Sequence, residues 1–133
     1  MASWRIAVVL CGVVAAATAH ADGYPDRAKD DYQLHCMGCH GENGRGLKGK
    51  VPSFPDDLAR LLTTPRGREF IQRVPGVSFS NLPSARLAAV LNWIVQEWTE
   101  PTFASGFRPF TANEIDKMRN APLLEVATER SAL

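Results

Sequence analysis

The 133-residue chain is poor in cysteine, in strand-like alternation, in net charge and in long apolar runs. Its three cysteines are Cys11, Cys36 and Cys39. A structural zinc needs four ligands at tetrahedral geometry, and Cys36 and Cys39 with His35 and His40 make a set too compressed to supply it. No segment alternates with a period of two for long enough to build a sheet, which removes the strand–helix–strand frame expected around a thioredoxin-type Cys-x-x-Cys. Fifteen basic side chains against fourteen acidic exclude a polybasic nucleic-acid binder. The longest apolar stretch, Ile6 to Ala17, is shorter than the roughly 20 residues needed to cross a bilayer.

That stretch has a different use. It follows Arg5 and precedes Ala19-His20-Ala21, a small-x-small cleavage pattern, so residues 1–21 are predicted to be a secretory signal peptide cut after Ala21. Cys11 leaves with it. The mature chain is then expected to start at Asp22, in the periplasm, with no transmembrane span. It would hold fourteen basic and fourteen acidic residues, unevenly spread. Between Arg45 and Arg86 there are eight basic residues and three acidic ones, a distribution suited to steering an acidic partner.

The periodicity is helical throughout, with no internal repeat. A first helix starts around Pro25, carries Ala28, Tyr32, Cys36 and Cys39 near one face, and ends in the cysteine motif. The Gly- and Pro-rich "GENGRGLKGKVPSFP" is a loop. Helices are predicted over Asp56 to Leu62 and over Pro65 to Gln72, the latter capped by Thr64. "RVPGVSFSNLP" reads as another loop. From Pro83 to Trp98 a broad stripe of Leu87, Val90, Leu91, Ile94, Val95 and Trp98 predicts the main core helix. Trp93 falls about 80–100° off that stripe and is expected to pack under "PTFASGFRPF", with Phe103, Phe107 and Phe110. Thr111 and Glu114 form a capping-box pattern for a helix ending near Asn120, before Pro122. The tail adds a turn or two.

The chemistry lies in "CMGCH". Two thiols two residues apart can each add across one of the two vinyl groups of a porphyrin, while the histidine directly after the second turns its imidazole to the iron. Export agrees, because such attachment takes place outside the cytoplasm. Cys36, Cys39 and His40 are therefore the candidate haem-binding residues.

With that motif, the "GENGRG" loop and the ending "LPSARLAAVLNWIVQEW", the stretch Tyr24 to Trp98 resembles the small monohaem class I cytochromes c. The resemblance implies an all-α cytochrome c-like fold of about four to five helices around one covalently bound haem c. Residues 22–100 would form the cytochrome domain and 101–133 a helical extension packed on it. It implies that the terminal helices cross and that a proline after the loop, matched here by Pro52, presents its carbonyl to the haem histidine. The alternative for Pro52 is a purely loop-shaping role. The implied function is electron transfer rather than enzymatic catalysis, with a redox protein such as a periplasmic dehydrogenase or oxidase as partner.

The family's second iron ligand, a methionine in the loop before the last helix, has no counterpart in "VPGVSFSNLP". Three outcomes stay open. The iron is five-coordinate under Val77 and Phe79, or weakly held by Ser78 or Asn81; Met118 folds back from the extension; or Lys48 or Lys50 binds. An open site makes haem-based binding or sensing of a small gas the alternative function. Peroxidase chemistry would need a distal acid–base group, and no histidine is available for it.

Overall fold

The computed structural model describes residues 24–133, with side chains from residue 27 onward. The expected signal peptide lies outside the described residues. Among them, nine helices follow in order: α1 (Tyr24–His35), α2 (Met37–His40), α3 (Phe54–Leu62), α4 (Pro65–Arg73), α5 (Pro75–Ser78), α6 (Ser84–Trp98), α7 (Pro101–Gly106), α8 (Ala112–Arg119) and α9 (Val126–Ser131). The one strand-type pairing among these residues is an isolated antiparallel bridge between Leu47 and Val51. The all-α architecture is thus as expected, and no helix among the described residues is long and apolar enough to cross a membrane.

Local rules explain most boundaries. Thr64 Oγ1 accepts the Gly67 amide at 3.0 Å and Pro65 supplies a pre-set φ, starting α4 where predicted. α3 starts two residues earlier than expected, at Phe54, with Pro55 in its first turn. Two helices go beyond the expected set. α5 lies inside the segment that reads as a loop, begun by Pro75 after the extended Val74, and α7 opens on Pro101. At α8 only half of the capping box forms: Thr111 Oγ1 accepts the Glu114 amide at 3.2 Å, while the Glu114 carboxylate turns instead to Arg68.

α6 is the axis of the core. Leu87, Ala88, Val90, Leu91, Ile94 and Val95 are buried along it, in line with the stripe. At about 1.5–3 kcal/mol for each large aliphatic side chain, this burial outweighs any cap or propensity effect. α1 lies against α6 through Ala28, Asp31 and Tyr32, all buried. Asp31 and Arg86 join the two helices by a two-pronged ion pair, with Arg86 Nε donating to Oδ2 at 2.8 Å and Nη2 donating to Oδ1. Trp93 corrects its expectation. Its ring centroid is 5.3 Å from that of Tyr32 on α1 and 5.1 Å from that of Trp98, whereas Phe107 stacks on Phe103 and tilts against Phe110. The face 80–100° off the stripe is the one α1 covers.

Residues 101–133 lie along this body. Ile115 of α8 is fully buried. Glu114 receives Arg68 at 2.6 and 2.9 Å, and Arg68 also donates to the Arg108 carbonyl. The Asn92 side chain of α6 makes two hydrogen bonds with the backbone of Phe110. Arg119 donates to the carbonyl of Leu82 at 2.8 Å and to that of Ser80, so α8 grips the segment before α6.

Candidate haem site

A break in the helical path aims the motif. α1 stops at His35, Cys36 departs to φ −124° and ψ −35°, and α2 supplies one turn carrying Cys39 and His40. The motif therefore straddles a break and does not continue one helix. The Cys36 amide still reaches the Tyr32 carbonyl at 2.8 Å, and the Tyr32 hydroxyl donates to the Gly41 carbonyl at 2.5 Å, tying both ends of the motif to α1. The loop then doubles back. The Gly46 amide donates to the His40 carbonyl at 2.7 Å, and at φ +63° a Cβ on Gly46 would sit 2.6 Å from the Pro52 carbonyl oxygen and closer still to that of Val51. Only glycine combines that backbone conformation with so close an approach. It lets residues 51–52 fold in beside His40.

A cavity of about 250 Å³ opens at this point. Cys36, Cys39, His40, Pro52 and Phe54 form part of its wall, and the rest is almost wholly apolar: Leu58 and Leu61 of α3, Phe70 and Ile71 of α4, then Val74, Val77 and the inner face of α6. It touches both hydrophobic clusters of the fold. The His40 ring stacks on Phe54, with centroids 4.2 Å apart and an interplanar angle of 16°. Burial lowers the His40 pKa, and the Pro52 carbonyl acts in the opposite sense. The two do not meet with full hydrogen-bond geometry, and Nδ1 is buried without a partner. That carbonyl acts as a dipole on the imidazole here.

Both cysteines are free, Cys36 half-buried and Cys39 exposed. Burial pushes the Cys36 thiol up to about 11, with the Asp31 carboxylate and Cys39 adding to the effect. A thiol so reluctant to ionise is a poor redox nucleophile. Among the described residues no three His, Cys, Asp or Glu side chains come together as a metal-binding shell. An apolar crevice with two free thiols and a half-buried imidazole whose Nδ1 lacks a hydrogen bond at its edge suits a flat apolar macrocycle joined through thioethers.

The other candidates fall elsewhere. Met118 on α8 and Asn81 before α6 do not line the cavity; Met118 is half-buried and Asn81 exposed. Lys48 and Lys50 are exposed in the Leu47–Val51 turn, and Phe79 is 67% exposed. Sequence reading missed the contribution of the tail. Val126 and Arg130 of α9 line the cavity, and Arg130 Nη2 donates to Asp57 Oδ2 at 2.6 Å. Nothing in "VATERS" signals this, because the contact spans 73 positions.

An all-helical body in which α1 packs on α6, with a Cys-x-x-Cys-His turn opening on an apolar crevice, defines a c-type cytochrome. The chain belongs to that family. It is 34% identical over 137 aligned positions to a cytochrome c-552 of Thermus thermophilus, covering 88% of each chain. It is also 34% identical over 118 positions to a second cytochrome c-552 of Thermus thermophilus, covering 74% of this chain and 90% of that one. No family model matches the sequence. Membership implies a covalently bound haem c and a role in electron transfer.

Proposed function

We propose that the mature chain, released by cleavage after Ala21, is a periplasmic cytochrome that carries one haem c and passes single electrons between redox proteins such as a dehydrogenase and an oxidase. The observation that carries this reading is the position of Cys36, Cys39 and His40 on the wall of an apolar cavity. When bound, the haem supplies the ferric–ferrous couple. The chain supplies the rest. Cys36 and Cys39 would anchor the macrocycle by thioether links, and His40 would bind the iron through Nε2, with Nδ1 turned toward the Pro52 carbonyl. That carbonyl would fix the ring and strengthen its donation. The aliphatic residues of α3, α4 and α6 exclude water, which tunes the potential. Residues 22–100 act as the electron-carrying domain and 101–133 as an extension packed against it.

Docking is assigned to the turn that carries Arg45, Lys48 and Lys50, next to the exposed Leu47. Positive charge beside a small apolar spot suits brief association with an acidic partner. The reading is that of a carrier rather than an enzyme.

The test is expression in a host that matures c-type cytochromes. The purified protein should be coloured, give a haemochrome spectrum for one haem with two thioether links, and keep its pigment through acidified organic solvent. Colourless protein, or pigment that extracts, would overturn the reading.

A further inference from the structure

Apart from the cysteine motif, the side chains on the cavity wall with an atom able to approach iron are His35, Ser53, Asp57 and Arg130. None is suited to be a second ligand. His35 directly precedes Cys36, at the end of α1 and just before the turn that carries His40. Ser53 sits between Pro52 and Phe54, on the His40 side. Asp57 is hydrogen-bonded to Arg130, and a guanidinium stays protonated and cannot coordinate. The remainder of the wall is built of aliphatic and aromatic groups with one glycine, Gly76.

The segment where a ligand would be looked for is also held away. Arg119 donates to the carbonyls of Leu82 and Ser80, with a longer contact to that of Ser78 at 3.5 Å. These bonds fix residues 78–82 against α8. The same grip holds Met118, one residue before Arg119, on a helix that does not reach the cavity. Recruiting Met118 or Asn81 would require breaking it, at the cost of hydrogen bonds from a charged donor.

We infer that the described residues of this chain leave the second axial position without a protein ligand, and that this position takes a neutral diatomic π-acceptor, carbon monoxide or nitric oxide, from solution. This rests on the haem reading above. The wall selects the class of ligand. Its one buried hydroxyl without a partner, Ser53 Oγ, lies beside Pro52 on the His40 side, and Arg130 Nη2 is engaged with Asp57, so the face away from His40 is aliphatic and aromatic. A neutral ligand that binds through back-donation loses nothing there, whereas an anion entering an apolar crevice is desolvated without compensation.

The experiment uses the holoprotein with its thioether links verified first. The ferrous form is expected to be high-spin by magnetic circular dichroism and resonance Raman, and to bind carbon monoxide stoichiometrically at micromolar protein, with a shifted Soret band. Azide at the same concentration should leave the ferric spectrum unchanged. Met118→Leu, which keeps the volume of the side chain, and Asn81→Ala should match wild type in spin state and carbon monoxide affinity within twofold. A low-spin ferrous spectrum indifferent to carbon monoxide overturns the inference while leaving the haem reading intact. So does a sulfur-to-iron charge-transfer band lost in Met118→Leu. Azide binding as tight as that of carbon monoxide overturns the stated ligand class. Pigment lost to acidified solvent overturns the haem reading and this inference together.

Discussion

Asp31 and Arg86 are 55 residues apart in sequence, yet the carboxylate of the first meets two guanidinium nitrogens of the second, and Asp31 is only 2% exposed. The pair locks α1 onto α6 directly behind the cysteine motif. Asp31→Asn should keep the fold and lower its stability by about 2–3 kcal/mol, the scale of losing charge-assisted hydrogen bonds in a mostly buried setting. Urea unfolding of the holoprotein at neutral pH checks this as a lower midpoint with an unchanged slope.

The same carboxylate sets an acid limit. Hydrogen bonding to Arg86 holds the Asp31 pKa below its usual value, and Arg68 does the same for Glu114. A group whose pKa is lower in the folded state contributes stability that is complete above its unfolded value, near 4. That contribution fades as pH falls through the lower folded value. Unfolding midpoints should therefore drop steeply below about pH 4. The gap between wild type and Asp31→Asn should close over the same range, and a gap that stays constant to acid pH would contradict the assignment.

Gly46→Ala tests how Pro52 is placed. The new methyl group meets the Val51 and Pro52 carbonyls, and the positive φ alone costs about 1–2 kcal/mol. The expected result is a stability loss of at least that size together with a changed iron–histidine stretching frequency, because the carbonyl beside His40 is displaced. A loss of stability with an unchanged frequency would separate the loop from the haem histidine.

Reversal of the exposed Lys48 and Lys50 to glutamate should slow reduction by an acidic partner about tenfold at low ionic strength, with the rates converging as salt rises. Stopped-flow mixing across a salt series reads this directly. Equal rates at low salt would move docking to another face.

Much of the fold is legible in the sequence because its signals are local. The α6 stripe from Leu87 to Val95, the Thr64 cap and the cysteine motif each depend on a few neighbouring residues. The parts that escape depend on distant ones. Trp93 turns to Tyr32 because α1 covers that face, and no pattern within α6 says which element will do so. The Glu114 carboxylate leaves its capping box for Arg68, 46 positions away, a stronger partner than a backbone amide. α5 and α7 are hidden because Gly76 and Gly106 read as loop residues, whereas Pro75 and Pro101 at their first turns favour a short helix. At the site, Cys36, Cys39, His40 and Pro52 stand out in the sequence and share one cavity wall. Val126, Arg130 and Asp57 do not, since α9 gains its place only from the surface it packs on.

The placement of α9 also bears on how the cavity is closed. Val126 and Arg130 stand on its wall, and Arg130 is ion-paired with Asp57 of α3. The tail therefore works as a clasp: a chain cut short before Val126 would leave that side of the crevice open to water.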